Sequence, residues 1–154
     1  MTHHIQSLFF TLFLSLLTSL PTDAREVLNF DRGWLFCLGD TSAMAHPDYA
    51  DATWRQLNLP HDWAIEGDFS VDNPSGAGGG ALPGGIGWYR KHFTVPASLG
   101  NDDRLFITFD GVYMNSSVYI NGHLLGTRPY GYISFQYDLT PYLRRGADNV
   151  IAVR

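Results

Sequence analysis

The chain has very few residues of several types, and each shortage excludes a class of protein. Lys91 is the only lysine among 154 residues, and the formal net charge is −5. A surface that binds nucleic acid needs clustered positive charge, so the composition excludes nucleic acid as a partner. Cys37 is the only cysteine. A single cysteine excludes both an intramolecular disulfide framework and a cysteine-based zinc site.

Long hydrophobic runs are also scarce, and the one present is close to the N-terminus. It covers residues 8–20, whereas a membrane-spanning helix needs about 20 apolar residues. Small residues at Thr22 and Ala24 suit cleavage after Ala24. We therefore predict a signal peptide over 1–24 and an exported chain, secreted or periplasmic, with no membrane contact after cleavage. The alternatives are a buried apolar helix and an uncleaved anchor.

The rest of the chain shows short β-rich runs separated by Gly, Pro, Asn and Asp. This pattern predicts eight strands, at 27–38, 54–59, 88–95, 104–109, 117–120, 123–127, 133–137 and 149–153. No helices are available to connect parallel strands. The sequence therefore predicts an all-β fold, an antiparallel jelly-roll β-sandwich. Because the last run stops with the chain, we expect that strand to be incomplete and the chain to be a fragment.

Two turns have clear local signals. Asn121-Gly122 lies between two strand-like runs and suits a type I′ turn, so 117–127 is predicted to be a hairpin. Residues 140–144 predict one helical turn capped by Thr140, with Pro at its first position. Gly146 is expected to end that turn.

Residues 74–88 contain seven glycines in fifteen positions. The spacing Gly76-x-Gly78-x-x-Ala81 formally matches a dinucleotide-binding fingerprint, but that motif needs a following helix, and Pro83 prevents one. Two interpretations remain. The segment is either a flexible surface loop or a loop whose glycines let the backbone approach a ligand or a neighbouring domain.

Few residues suit catalysis. A glycosidase needs two carboxylates beside the scissile bond; Glu66 could be one, but Glu26 lies next to the predicted cleavage site and no aspartate pair stands out. His61-Asp62 is adjacent by sequence only, and its alternative role is a turn in which Asp62 is the cap and His61 bonds backbone. Tryptophans can stack on sugars but are more often core residues in a sandwich. We assign no catalytic residue, metal site or cofactor.

Several segments together resemble the N-terminal sugar-binding domain of glycoside hydrolase family 2. One is Trp54–Trp63, which is similar to the family's W-x-x-L-x-L-P-H-D-W signature. The others are 82–91, 109–112, 118–122, 131–140 and 149–154. They follow one another in order over 27–154. The Pro-His-Asp-Trp form and the long glycine-rich loop look most like bacterial β-galactosidase members, with a galactose-binding-domain-like fold.

This resemblance implies a multi-domain enzyme of which 25–154 is the first, truncated domain. An immunoglobulin-like domain and a TIM barrel follow in the family, and the barrel holds both catalytic glutamates. Glu66 matches neither catalytic motif. The implied activity is retaining hydrolysis of O-glycosidic bonds by the parent enzyme, with this part not catalytic alone. The implied partners are a β-galactoside-type glycan, the catalytic barrel and a second copy of the chain.

The resemblance also implies roles for particular residues. The glycine-rich loop is expected to close the subsite for the non-reducing end, through Gly78, Gly79, Gly80, Gly84 and Gly85. The implied substrate-binding residues are Asp62, Asp72 and Asn73. Structural roles fall to Trp63, Trp88, Arg90, Asn121 and Gly122. Of these, Arg90 is expected to pair with an aspartate on a neighbouring strand.

Two functions of other classes compete with this one. A free-standing carbohydrate-binding module would need an exposed aromatic platform. An oligomerisation domain would serve assembly only.

Overall fold

The computed structural model describes residues 25–97 and 99–154, and the predicted signal peptide lies outside them. Of the two units into which the chain divides, the first ends at Phe30 and the second covers Asp31–Arg154. In the described part of the first unit, 25–30, there is no helix or strand. The predicted strand over 27–38 is therefore wrong in its first half. The first strand begins at Trp34, directly after Gly33, whose φ of 71° is outside the β region.

The described residues of the second unit form eight strands, in the order that the sequence predicts. They are β1 (Trp34–Leu38), β2 (Arg55–Leu57), β3 (Gly87–Thr94), β4 (Phe106–Phe109), β5 (Ser116–Ile120), β6 (His123–Arg128), β7 (Phe135–Asp138) and β8 (Asp148–Val153). The described helical segments are short 3₁₀ turns at Ser42–Ala45, Trp63–Glu66, Ala77–Gly79 and Thr140–Tyr142. The turn at Trp63–Glu66 is the one for which the sequence offers Asp62 as a cap, whereas the turns at Ser42–Ala45 and Ala77–Gly79 are missed, because a single turn leaves no periodic hydrophobic pattern.

The strands form two antiparallel sheets. One has six strands in the order β2-β1-β3-β8-β5-β6, and the other pairs β4 with β7. Strand β8 lies inside the large sheet, where Ala152 pairs with both Arg90 of β3 and Tyr119 of β5. Strands β2 and β6 form the edges of the large sheet among the described residues, so β8 is paired on both sides. The expectation that the last strand is incomplete stays a prediction.

One face of the large sheet packs against the small sheet. Buried side chains on that face include Val118, Ile120 and Ile151, each 0% exposed, and Val153. Tyr137 of β7 reaches across to β6, where a Cβ on Gly126 would lie 2.6 Å from the Tyr137 hydroxyl oxygen. Two antiparallel sheets enclosing one apolar layer are a β-sandwich, which confirms the predicted jelly-roll fold.

The opposite face of the large sheet is covered by a segment without strands, residues 41–54. Met44 and Ala45 of this segment pack against Trp88 and Ala152. Trp88 is 1% exposed, and its Nε1 donates to Asp40 Oδ1 at 3.0 Å. The molecule therefore has a second apolar layer that the strand pattern alone does not predict.

Arg90 fixes that covering segment to the sheet. Its side chain is fully buried, and its Nε donates to Asp51 Oδ2 at 2.7 Å. The same guanidinium donates to the carbonyl oxygens of Met44 at 2.5 Å and His46 at 2.9 Å. Asp51 lies in the connection before β2, so the partner is not on a neighbouring strand as the sequence suggests. Burial raises the pKa of Asp51, but hydrogen bonds from Arg90 and His92 outweigh it and hold that pKa below its usual range.

The hairpin between β5 and β6 is found where it is predicted. Asn121 and Gly122 have φ values of 49° and 85°, and a type I′ turn requires positive φ at both positions. The Asn121 side chain also bonds beyond the turn, where its Oδ1 accepts from Val150 N at 3.0 Å and its Nδ2 donates to Tyr142 O at 2.8 Å. Asn121 therefore joins the hairpin to β8 as well as shaping the turn.

The predicted helical turn at the C-terminal side is a 3₁₀ turn over Thr140–Tyr142, and Leu139 occupies its cap position. Thr140 is not the cap, because its hydroxyl oxygen accepts from Leu105 N at 2.9 Å instead. The prediction that Gly146 ends the turn is wrong, because the turn ends at Tyr142 with Leu143 as its C-cap; Gly146 follows later, with a φ of 71°. A tertiary hydrogen bond has thus replaced the local capping bond that the sequence suggests.

Candidate functional site

The connection between β2 and β3 carries most of the predicted site residues. It begins after Leu57 and ends at Gly87. Asp62 starts its first 3₁₀ turn, because Asp62 Oδ1 accepts from Ala64 N at 2.9 Å. One carboxylate oxygen of Asp62 therefore serves as a helix cap, which supports the capping interpretation of the sequence.

Glu66 is the centre of a charged network at the start of this connection. Arg55 on β2 bonds both carboxylate oxygens, with Nη1 to Oε2 at 2.5 Å and Nη2 to Oε1 at 2.8 Å. These bonds lower the pKa of Glu66 to about 2 against a smaller opposing effect of burial. A carboxylate that is ionised and paired in this way cannot supply a proton at neutral pH, so Glu66 is not a candidate general acid.

His61 links the network to β3. Its Nδ1 lies 2.8 Å from the Tyr89 hydroxyl and its Nε2 lies 3.2 Å from Glu66 Oε1. Burial, followed by the negative charges of Asp62 and Glu66, raises the pKa of Tyr89 to about 12. The expectation that His61 bonds backbone is wrong, because the chain folds back and brings two side chains to the ring.

The sequence prediction misses Arg55 and Tyr89 altogether. Arg55 lies on a short edge strand and Tyr89 lies on β3. Neither forms a recognisable motif with Glu66, because their contact depends on the path of the chain between strands. A basic residue on an edge strand close to a lone glutamate is the only sequence signal that could have found the pair.

Asn73 is used to hold the loop together. Its Nδ2 donates to the carbonyl oxygens of Asp68 and Ala81, each at 2.8 Å. Both amide hydrogens are therefore satisfied inside the loop. Any bond from the Asn73 side chain to a sugar hydroxyl must be accepted by Oδ1.

Asp72 is placed differently. It is exposed, and its backbone N donates to Ser70 Oγ at 3.2 Å. Its carboxylate thus projects from a backbone that is held locally. Among Asp62, Asp72 and Asn73, the predicted substrate-binding residues, Asp72 is the one whose side chain is least engaged within the loop.

The glycine-rich part of the connection is folded on itself. Ser70 N donates to Ala81 O at 2.9 Å, and Ser75 Oγ donates to Leu82 O at 2.5 Å. Gly79 permits a close approach, because a Cβ there would lie 2.7 Å from the Ser75 Cβ. The other glycines predicted near the active site, Gly78, Gly80, Gly84 and Gly85, are all exposed. Their backbone is open to an approaching ligand or domain.

Trp63 fixes the end of this loop to the sheet. It is half-buried, and a Cβ on Gly87 would lie 3.1 Å from its Nε1. Its ring also lies 3.8 Å from the Cβ position of Gly85. Trp63 therefore packs the loop against the beginning of β3 and is not an open stacking platform.

Within residues 25–97 and 99–154, no three His, Cys, Asp or Glu side chains are grouped to hold a metal ion. In the same ranges no helix is both long and apolar enough to cross a membrane.

A family profile described as the sugar-binding domain of glycosyl hydrolases family 2 matches residues 26–154. The chain belongs to this family, in which it corresponds to the N-terminal domain. It is 64% identical over 131 residues to "Beta-galactosidase BoGH2A" of Bacteroides ovatus, which covers 84% of this chain and 15% of that protein. It is 49% identical over 135 residues to a putative β-glucuronidase of Formosa agariphila, covering 86% and 13%.

Solved structures agree with this assignment. A β-glycosidase from Bacteroides vulgatus superposes with a TM-score of 0.80 at 53% identity, covering 84% of this chain and 17% of the other. A β-glucuronidase from Bacteroides uniformis superposes with a TM-score of 0.73 at 26% identity, covering 84% and 14%. The chain thus spans about one sixth of the length of these relatives.

Proposed function

We propose that the chain is the exported N-terminal carbohydrate-binding and scaffold part of a family 2 glycosidase that hydrolyses β-galactosides. The relatives that support this are named β-galactosidases and β-glucuronidases. In this proposal both catalytic glutamates belong to the rest of the parent enzyme. The parent acts with retention, through a glycosyl-enzyme intermediate, and the chain alone is inactive.

The charge of the β2–β3 connection is the observation that favours a galactoside. From residue 56 to residue 89 there is no Lys or Arg, and the acidic residues are Asp62, Glu66, Asp68 and Asp72. Of these four acidic residues, Glu66 is the one with a described arginine partner, Arg55. A glucuronide would bring its own carboxylate towards this loop, and like charges placed together cost several kcal/mol. A neutral galactoside meets no such repulsion.

Asp72 and Asn73 have distinct roles in this proposal. The exposed Asp72 carboxylate accepts hydrogen bonds from sugar hydroxyls, and each such bond to a charged group is worth about 1.5–3 kcal/mol. Asn73 contributes its Oδ1, while its amide nitrogen keeps the loop in shape. The loop thereby forms one wall of the subsite for the non-reducing end.

Substitution of Asp72 in the intact protein tests this role. We expect Asp72→Ala to lower kcat/KM for p-nitrophenyl β-galactoside by about tenfold or more, because the lost bond involves a charged group. Asp102→Ala, in the exposed connection between β3 and β4, is the matched control and should leave kcat/KM unchanged. Equal activity of the Asp72 variant and the parent protein would contradict the proposed contact.

Export rests on the apolar run at residues 8–20 and the small residues before position 25. N-terminal sequencing of the protein secreted or released from the periplasm should begin at Arg25. A product that retains residues 1–24, or that stays with the cytoplasm, would contradict export.

The two alternatives differ from this proposal in mass. An antibody raised against residues 25–154 should detect a protein several times larger than the 17.2 kDa of this chain. A band at or below that mass would favour a free-standing carbohydrate-binding module or an oligomerisation domain instead.

A further inference from the structure

Three tyrosines meet at one end of the sandwich, outside the β2–β3 connection. Tyr113 comes from the connection between β4 and β5, and Tyr130 and Tyr132 come from the connection between β6 and β7. The ring centroid of Tyr132 lies 5.5 Å from that of Tyr113 and 5.6 Å from that of Tyr130, at interplanar angles of 64° and 61°. We call Tyr113, Tyr130 and Tyr132 the tyrosine cluster.

The backbone around the tyrosine cluster is tightly built. A Cβ on Gly131 would lie 2.8 Å from the Cα of Tyr113, and a Cβ on Gly111 would lie 3.1 Å from the Gly131 carbonyl oxygen. Asn115 N also donates to Pro129 O at 3.3 Å. Glycine at 111 and 131 thus lets the two connections touch, which brings the three rings together.

The rings nevertheless face solvent. Tyr113 is 70% exposed, Tyr130 58% and Tyr132 74%. Full burial of one aromatic side chain removes about 150–250 Å², so the tyrosine cluster offers roughly 300–500 Å². Each partner of a standard protein interface buries about 800 Å². The exposed area therefore suits a small ligand better than a second copy of the chain.

The chemistry of the tyrosine cluster is neutral and amphipathic. Residues 111–115 and 129–134 contain no charged side chain, and the exposed Asp110 directly precedes the first of these stretches. Arg128, directly before the second connection, has its guanidinium over the rings of Phe135 and Tyr137, at 5.3 and 5.8 Å from their centroids. Ring faces with phenolic hydroxyls at their rim match a pyranose, which has an apolar C–H face and hydroxyls around it.

We propose that the tyrosine cluster is a second carbohydrate site, which binds one pyranose ring of a neutral glycan. It is separate from the β2–β3 connection. Its residues belong to the connections after β4 and after β6, and none of them lies in the β2–β3 connection. Sugar binding at the tyrosine cluster does not depend on which sugar occupies the subsite of the parent enzyme, so this inference goes beyond the proposed function.

The test is an NMR titration of the ¹⁵N-labelled full chain with galactose, lactose and β-1,4-galactotetraose. We expect amide shifts at residues 111–115 and 129–134, with a Kd of about 1 mM for the tetraose. Tyr132→Ala should weaken binding by about tenfold or more, and Tyr132→Phe, which keeps the ring, should bind within about twofold of the unchanged chain. Tyr142→Ala is the control, because Tyr142 stacks on His123 at the opposite end of β5 and β6.

The outcomes separate this inference from the proposed function. Shifts confined to 61–86 would overturn the second site and leave the proposed function standing. Shifts at the tyrosine cluster alone would uphold the second site and count against sugar contact by the loop. No shift with any sugar, or sugar-independent shifts that grow with protein concentration and vanish in Tyr132→Ala, would overturn the second site. If Tyr132→Ala fails to fold, Tyr113→Ala decides in its place.

Discussion

Two arginine–carboxylate pairs hold non-strand segments onto the large sheet, and they differ in depth. Arg90 bonds Asp51 with its side chain fully buried, whereas Arg55 bonds Glu66 with side chains that are 55% and 39% exposed. The first pair fixes the segment 41–54 over a core face. The second pair fixes the start of the β2–β3 connection, where the candidate sugar contacts lie.

The comparison shows that position in the fold decides what an ion pair does. Removing one partner of a buried pair leaves a charge without compensation in an apolar region. Removing one partner of an exposed pair leaves a charge that water solvates. We therefore infer that Arg90 supports the stability of the whole domain, while Arg55 orders only the loop.

The largest expected effect is that of Arg90→Met. It leaves Asp51 buried without its main partner and frees the carbonyl oxygens of Met44 and His46. We expect the free energy of unfolding, measured by urea denaturation, to fall by about 3–5 kcal/mol. Arg104→Met is the control, because Arg104 pairs with Asp138 at the surface. If Arg90→Met lowers the free energy of unfolding no more than Arg104→Met does, the inferred difference between the buried Arg90–Asp51 pair and an exposed pair is contradicted.

A smaller effect is expected from pH, through His92. Its Nδ1 lies 2.6 Å from Asp148 Oδ2 and its Nε2 lies 3.1 Å from Asp51 Oδ2, the oxygen that also accepts from Arg90. Burial lowers the pKa of His92, but the bonds to Asp148 and Asp51 outweigh it and raise that pKa above its usual 6.5. Because the folded pKa is the higher one, the stabilisation is complete below pH 6.5 and is lost as pH rises through the folded value.

Urea denaturation of the unchanged chain and of His92→Gln across pH 5–9 measures this contribution. The stability difference between them should be constant on the acidic side and shrink as pH rises beyond about 6.5. A difference that grows with pH would mean that burial outweighs the two carboxylates.

The smallest effect on stability is expected from Arg55→Met. The urea midpoint should barely move, because the pair is exposed to solvent. Hydrogen exchange of the amides at Ser70, Asn73 and Ala81 should become faster, since the start of the loop is released. Glu66→Gln should give the same result. In the unchanged chain, amide exchange in the loop should become faster only as pH falls from 4.5 towards 2, where Glu66 takes up a proton. Unchanged exchange in both variants would show that the loop is ordered without the pair.

The sequence predicts the strands well because their signals are local. Asn121-Gly122 requires a particular turn, and the β-rich runs between turns have few alternatives. The covering segment 41–54 could not be predicted in this way. Its position depends on Arg90 and Asp51, which are 39 residues apart, and no local pattern shows that they meet. The same applies to Thr140, whose hydroxyl bonds Leu105 across 35 residues.

The candidate site was predictable only in outline. Resemblance to a family implies sugar contacts for Asp72 and Asn73, which stay a prediction, and it does not show that the Asn73 amide is consumed inside the loop. The bonds of Glu66 to Arg55 and His61 could not be predicted from the sequence. They join β2 to the turn Trp63–Glu66, which follows a reversal of the chain. Tertiary structure alone decides which of several exposed polar groups remain available to a ligand.

The most direct test of the central claim is the ratio of kcat/KM for p-nitrophenyl β-galactoside to that for p-nitrophenyl β-glucuronide, measured on the intact protein purified from its source. The proposed position of the acidic loop, without Lys or Arg, beside the sugar predicts a ratio of about ten or more in favour of the galactoside. A preference for the glucuronide, or no hydrolysis of either compound, would contradict it.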